Sequence, residues 1–538
     1  MEKTYGTAAS PGIVRARAFF YERVVPVSGR PFSGAEAELA RFLAARDEAV
    51  GQLLGLRDKA SVEIGEEEAA IFEIGAMMLQ DEDYAACVEE AVRDRSLAAE
   101  RAVAEASESF SAQLAASGDA YLSARAADVK DASARVVGIL CGGRTAPEPD
   151  GPVVLVADDL LPSETVSMDR SLLLGIATSG GSPNAHTAIL ARSMGIPAVV
   201  CLGPAAGRSA HGRDVVLDGD NGVLVLDPDA AEAGAADSRA AEAAARKASL
   251  QSLRGLENRT RGGRLVDVFA NAGSQADVEA ALANDAGGIG LLRSEFLYLE
   301  KDRYPTEEEL FSSYRAAAES MAGRKVVIRT LDVGADKSAP YLGLAAEENP
   351  ALGLRAVRLC LSRPALFNTQ LRAILRASAY GTVAIMFPMI ATVRDVEECL
   401  RALDGARAEL QAEGVSFDPC LETGIMIETP AAALVAADLA SLVDFFSVGT
   451  NDLAQYTLAA DRQNAAVRSY YDQGHPAVMR LIGMAARAAK DAGLWIGVCG
   501  ELAADASRTA ELLAMGVDEL SVSPSSVLAL RARIRELD

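Results

Sequence analysis

The stretch SGGSPNAHTAILAR, Ser179 to Arg192, holds one of only three histidines in 538 residues, where a glycine-rich turn gives way to a helical pattern. A helix N-terminus offers free N–H groups and the positive end of a dipole, which together hold phosphate. An imidazole near its ordinary pKa is partly neutral at pH 7 and nucleophilic. His186 is thus placed to carry a phosphoryl group; the competing reading is a turn histidine with no chemistry. His211 and His475 stand alone in loop-like settings and supply no zinc partners. Further along, polar groups directly follow apolar runs: Asn271, Arg293 and Glu295, Arg329 and Asp332, Glu428, Asn451 and Asp452, Cys499 and Glu501. Arg293 and Arg329, with Arg462 in TLAADRQN, are planar forks suited to a phosphate or carboxylate. Glu428 and Asp452 suit Mg²⁺, which takes one or two carboxylates and leaves positions for water and phosphate oxygens; ion pairs with the arginines are the alternative. Cys499, between glycines in GVCGE, could move a proton, but as a residue by itself it reads better as a small buried hydrophobe.

Those residues need a scaffold that brings strand ends together. Beyond residue 260 apolar runs alternate with helical patterns: RLVDVFANAGS, GGIGLLRSEF, KVVIRTLDVG, TVAIMFPMI, TGIMIETPAA, VDFFSVGTNDL, LWIGVCGEL and DELSVSP. The series closes at eight, which predicts a (β/α)₈ barrel whose working residues lie at the C-terminal strand ends. Before it, Pro152 to Asp227 reads as short strands with one helix, and the opening strand region is expected to return to that sheet. From Gly34 to about Gly142 the spacing of apolar residues predicts a bundle of four helices, one of them a long helix near Ala85–Ser117. In the second helix Ile71, Phe72, Met77, Met78 and Leu79 sit among acidic residues, read as a core stripe or as a Met-rich patch for a basic partner. The expected division is 1–25 plus 143–228 for the small α/β domain, 26–142 for the inserted bundle, 229–259 for a connecting helix and 260–538 for the barrel.

A formal net charge of −24 and a pI near 4.7 exclude nucleic acid and anionic membrane surfaces as natural partners and favour a basic protein partner. A small anionic substrate needs a local arginine cluster against this field. Seven scattered cysteines without a CxxC pair argue against a disulfide framework or structural zinc. No apolar run reaches the roughly 20 residues of a membrane span, and the start shows no signal-peptide pattern. The expectation is a cytoplasmic protein.

GGSPNAHTAILARSMGIPAVV, GLLRSEFLY, RTLDVGADK, ENPALGLRA, QLRAILRAS, MFPMI, MIETPAA, FFSVGTNDLAQYTLAADR, HPAV and VCGELA together resemble enzyme I, the phosphoenolpyruvate–protein phosphotransferase family of the bacterial sugar phosphotransferase system. AASPGI, EEEAAIFE, RAADVKDASARV and LLPSET extend the resemblance over nearly the whole chain. It implies that His186 is the phosphorylated histidine, that Arg293, Arg329, Asn451, Asp452 and Arg462 bind phosphoenolpyruvate, that Glu428 and Asp452 hold Mg²⁺, and that Cys499 protonates C3 of enolpyruvate. It also implies a hydrogen bond from Thr165 to the active histidine, an approach of Lys337 to substrate, a carrier protein like HPr docking on the helical bundle, and a homodimer formed through the barrel. The chain departs from the family in having four residues, Ser182 to Ala185, between Gly-Gly and the histidine instead of three ending in Ser or Thr. It also has CLGPAAG after IPAVV, and an end at Asp538 that is one or two helices early for the family, which bears on how the barrel closes. The competing readings are a paralogue serving a different carrier and a non-catalytic homologue that binds phosphoenolpyruvate.

Overall fold

The computed structural model describes residues 1–22, 30–63, 66–115, 120–142, 149–182, 185–299, 301, 303–334, 340–345 and 347–538. The chain divides into two compact units, Met1–Arg246 and Lys247–Asp538.

In the first unit, β1 (Glu2–Tyr5), β2 (Thr7–Ser10) and β3 (Ile13–Phe20) join β4 (Val153–Ala157), β5 (Leu173–Thr178), β6 (Ala198–Val200), β7 (Asp214–Asp218) and β8 (Val223–Leu226). The sheet order is β1-β8-β7-β3-β4-β5-β6-β2, with β3, β4, β5 and β6 parallel. All five residues of β4 are buried. Val154 and Val156 enter one core layer while Leu155 and Ala157 enter the other, as a period of two requires of a strand covered on both faces. Between β3 and β4 lie the helices α1 (Ala35–Glu63), α2 (Glu66–Leu79), α3 (Glu82–Arg95), α4 (Ala99–Ala115) and α5 (Ala120–Leu140). Among the described residues five helices stand where four were expected, because the long helix near Ala85–Ser117 is broken. Ser96 adopts φ 54° and ψ 41° and caps α3 in the left-handed region, its N–H donating to the Ala91 carbonyl. Ile71, Phe72 and Leu79 of α2 lie in the bundle core, and Met77 is exposed. After β4 come α6 (Pro162–Ser167) and α7 (His186–Met194), and after β8 the mostly exposed α8 (Ala230–Gln251).

The second unit is a closed, all-parallel barrel. Its strands are β9 (Asp267–Ala272), β10 (Ile289–Leu292), β11 (Val326–Arg329), β12 (Val383–Phe387), β13 (Glu422–Ile427), β14 (Phe445–Val448), β15 (Trp495–Val498) and β16 (Glu519–Val522), β16 pairing with β9 to close it. One core lies between strands and surrounding helices; a smaller one fills the interior with Leu291, Val327, Ala384, Met386, Met426, Phe445 and Cys499. Trp495 stacks on Phe445 at 4.3 Å between centroids. The closing packing is made by the helix Val527–Glu536, whose buried Arg531 reaches Asn258 Oδ1 at 2.6 Å and Asp285 Oδ2 at 2.5 Å. Among the described residues no helix is long and apolar enough to cross a membrane.

Candidate active site

The strand ends of the barrel meet in a chain of buried charges. Arg329, the last residue of β11, pairs with Glu295 and, at 3.2 Å, with Asp332. Asp332 accepts three hydrogen bonds from Arg355: from Nε at 3.1 Å and from Nη2 at 2.9 and 3.0 Å. Arg355 Nη1 donates to the Tyr456 hydroxyl at 3.1 Å and lies 3.5 Å from Asp452 Oδ1. Asp452 stands in the first turn of the helix Thr450–Leu458, and Arg462 Nη2 approaches its other oxygen at 4.0 Å. Glu428, directly after β13, is fully buried. Its Oε1 accepts from the Met389 backbone N–H at 2.6 Å, and its Oε2 has no partner among the described residues. Met389 holds φ +58°, a left-handed conformation rare for methionine, and strain of this kind collects at sites where the surroundings impose a geometry.

Among the described residues the cluster holds more buried carboxylates than guanidiniums. Four buried carboxylates, Glu295, Asp332, Glu428 and Asp452, face two buried guanidiniums, Arg329 and Arg355. Burial pushes the Glu428 carboxyl above its usual range; Asp452 and Asp332 push the same way, and Arg329 and Arg355 offset only part. Burial would lower Arg329 and Arg355, yet the carboxylates around them outweigh it and both are held firmly protonated. Buried charge of this kind calls for a counter-ion. A divalent cation on Glu428 and Asp452 fits, because the unpartnered Glu428 oxygen and two carboxylates with open positions match what Mg²⁺ takes in phosphate sites. Among the described residues no three His, Cys, Asp or Glu side chains form a closed metal cage.

Cys499 follows β15 and is buried in the barrel interior, its Sγ 3.6 Å from the Val448 carbonyl. Burial pushes the thiol up to about 11; the Ser447 hydroxyl and Arg329 pull it down, and Glu519 and Glu428 push it up. Asn451 receives the Glu501 backbone N–H on Oδ1 at 3.0 Å, so it ties the loops after β14 and β15 together. Arg293 is exposed and, among the described residues, makes no ion pair; it lines a recess with Ser274, Gln275 and Tyr314. Lys337 lies outside the described residues. The structure therefore gathers Arg329, Glu428, Asp452, Arg462 and Cys499 at one mouth and leaves Arg293 at its edge. Sequence reasoning missed Arg355, the hub of the network. It lies in a loop, not at a strand end, and its one signal was the segment ENPALGLRA.

In the first unit, Gly180 and Gly181 lead to α7. The Gly180 N–H donates to the Asp158 carbonyl at 2.9 Å, and Gly181 takes φ +91°. Pro183 and Asn184, half of the lengthened loop, lie outside the described residues. Ala185 is the N-cap and gives no side-chain hydrogen bond; the Ala188 and Ile189 N–H groups donate to its carbonyl, and among the described residues no acceptor is seen for the N–H groups of His186 and Thr187. His186 is the first residue of the helix. Thr187, next to it, is buried, and its hydroxyl has no partner among the described residues. Thr165 is buried in α6, which packs against α7.

Three PEP-utilising domain signatures match the chain: the N-terminal domain over residues 5–125, the mobile domain over 149–222 and the PEP-binding domain over 247–538. The phosphoenolpyruvate-protein phosphotransferase of Priestia megaterium is 41% identical over 535 residues, covering 99% of this chain and 93% of its own. That of Bacillus subtilis (strain 168) is 40% identical over 541 residues, covering 100% and 95%. A solution structure of enzyme I (nEIt) is 32% identical over 44% of this chain and 98% of its own, at a TM-score of 0.39.

Proposed function

The chain belongs to the phosphoenolpyruvate-protein phosphotransferase (enzyme I) family, and on that premise we propose that it passes the phosphoryl group of phosphoenolpyruvate to His186 and from there to a histidine of an HPr-like carrier, releasing pyruvate. The observation that carries this reading is the buried cluster at the barrel mouth, Arg329–Asp332–Arg355–Asp452 with the unpartnered Glu428 oxygen. Arg329, Arg355 and Arg462 hold the substrate's phosphate and carboxylate, with Asn451 and Arg293 at the rim. Catalysis of phosphoryl transfer is mostly positioning and charge stabilisation, and fixed guanidiniums in a dry site supply both. Glu428 and Asp452 would hold the divalent cation, which we read as Mg²⁺ and which would supply positive charge against the phosphoryl oxygens. The His186 imidazole attacks phosphorus in line, and the N-terminal end of α7 receives the new phosphoryl oxygens. Cys499, whose thiol keeps its proton at neutral pH, delivers it to C3 of the enolate. Donor and acceptor residues lie in separate units, and the reading includes a domain movement between the two steps. The remaining parts of the reading are a carrier seated on the helical bundle, a homodimer through the barrel, and a cytoplasmic location.

The test is incubation with phosphate-labelled phosphoenolpyruvate and Mg²⁺, followed by mapping of acid-labile label. Label on the peptide containing His186, absent in His186→Ala, is expected. Undiminished label in that variant would overturn the assignment, and an unlabelled wild type would favour the binding-only homologue.

A further inference from the structure

Beneath Cys499 the inner wall of the barrel carries a carboxyl that phosphoryl transfer does not use. Glu519 opens β16 and is buried, with 1% of its surface exposed. It fills space that two glycines leave. A Cβ on Gly497 would collide with its Oε2, and one on Gly290 would stand 2.5 Å from its Oε1 and 2.6 Å from Ser521 Oγ. Gly497 pairs with Glu519 and with Ser447 on the neighbouring strands. Trp495 and Cys499 flank Gly497 on the same inward row of β15, so the carboxyl sits one pleat below the thiol. Around it, Glu519 Oε1, Ser521 Oγ and Asn271 Oδ1 are buried with no hydrogen-bond partner among the described residues, and the Ser447 hydroxyl faces the Cys499 thiol. Native interiors leave few such atoms orphaned, and a cluster of them marks a polar path that water or proton exchange completes. Asn271 Nδ2 meanwhile bridges the Cys499 and Ser521 carbonyls at 3.0 and 3.3 Å, which ties the top of this path to β9.

The chemistry proposed for Cys499 creates a need here. A thiol that gives its proton to carbon becomes a buried thiolate, and substrate and the arginine network lie on the mouth side. We propose that Glu519 is the proton reserve of Cys499, returning a proton to the thiolate along the Ser521 and Ser447 hydroxyls with water joining the gaps between them. This rests on the reading of Cys499 as the acid that protonates the enolate. In balance, the S–H bond breaks and a C–H bond forms on the enolate carbon. The Glu519 O–H then breaks as S–H re-forms, and the resulting carboxylate takes a proton from solvent at the N-terminal end of the barrel, where Asp267 is exposed. The charged groups that face Glu519 are Asp267, opposite it on β9, and Lys325, which bonds Glu422 at 2.7 Å and lies 4.7 Å over the Trp495 ring; Cys499 is above it and Asp518 precedes it. Burial holds the Glu519 carboxyl well above its usual range, Asp267 adds to this, and Lys325 opposes it. These surroundings favour the protonated carboxyl.

The test compares the wild type, Glu519→Gln, Ser521→Ala and Cys499→Ala in the full-length protein, with excess phosphocarrier, following pyruvate by rapid quench. Glu519→Gln fills the same space but cannot give up a proton. It should release one equivalent of pyruvate per site at the wild-type rate and then turn over about 10-fold or more slowly, with KM for phosphoenolpyruvate unchanged. Its kcat should also fall with rising pH, where the wild type stays level. Ser521→Ala should show a smaller loss of the same kind. Wild-type steady-state rates and pH profile in a folded Glu519→Gln would overturn the proposal; should that variant lack a cooperative melt, wild-type behaviour of Ser521→Ala would do so. Cys499→Ala separates the two readings. If it turns over normally, the acid assignment of Cys499 fails; if it is slow while Glu519→Gln is normal, only the reserve fails.

Discussion

Arg355 holds the cluster by geometry that charge alone does not supply. Its fork takes both oxygens of Asp332 while the remaining nitrogen faces Tyr456 and Asp452. A lysine keeps the charge but offers one flexible point, so it cannot serve both carboxylates. Arg355→Lys should lower kcat/KM for phosphoenolpyruvate by about 100-fold or more, the kinetic equivalent of roughly 3 kcal/mol, since breaking a buried pair leaves an uncompensated charge. Steady-state kinetics alongside a thermal melt check this; a variant with a normal melt and normal kcat/KM would remove Arg355 from the site. Glu428 makes a complementary prediction. Glu428→Gln keeps the hydrogen bond from Met389 but loses a negative oxygen, so half-maximal turnover should need more Mg²⁺ by at least the ~10-fold that losing an outer partner of a metal costs. Titration of turnover against Mg²⁺ reads this directly, and an unshifted curve would place the cation elsewhere.

At the scale of elements, Glu38 shows how the bundle is fastened. It is fully buried near the start of α1 and accepts from Ser33 N–H at 3.1 Å, Ser33 Oγ at 2.5 Å, Arg41 Nη1 at 2.6 Å and the first N–H of α4, at Ala99, at 3.0 Å. Burial alone would raise its carboxyl; the hydrogen bonds from Ser33 and Ala99 and the charge of Arg41 win and bring it down to about 2. A folded value below the unfolded 4.5 adds stability that is full above about pH 4.5 and is lost as pH falls toward 2. Glu38→Gln should therefore cost about 3 kcal/mol at neutral pH, and the gap to wild type should close on acidification through that window, as denaturant melts at several pH values would show. A gap that stays constant with pH would mean that Glu38 acts by packing alone. The same scale decides what the sequence could tell. Eight apolar runs ending in polar residues were readable because a parallel barrel buries its strands on both faces and collects their C-terminal ends at one mouth. That topology is why Arg329, Glu428, Asp452 and Cys499 could be placed together from spacing. The break at Ser96 was not readable, because its left-handed turn falls in RDRSLAAE without a glycine or proline to mark it. Arg355 was missed for a related reason: the loop that delivers it turns through Ala356 at φ +52°, a conformation that residue type does not announce.

For the whole molecule, the net charge of −24 must act differently on the two substrates. Phosphoenolpyruvate is an anion, so the long-range field opposes its approach, and the guanidiniums gathered at the barrel mouth attract it at short range. A phosphocarrier that presents a basic face to the bundle is instead drawn in by the same field, which raises encounter rates beyond those of neutral partners. Salt screens both long-range terms, with a Debye length falling from about 30 Å at 0.01 M to about 8 Å at 0.15 M, while buried pairs such as Arg355–Asp332 are screened much less. Raising ionic strength should therefore lower kcat/KM for the carrier steeply, by about 10-fold between low and physiological salt, and leave kcat/KM for phosphoenolpyruvate unchanged or slightly higher. Measuring both constants on the same preparation across that range provides the check. A carrier constant that ignores salt would show that the acidic surface does not steer the partner, and a parallel fall in both would point to a salt effect on the protein itself.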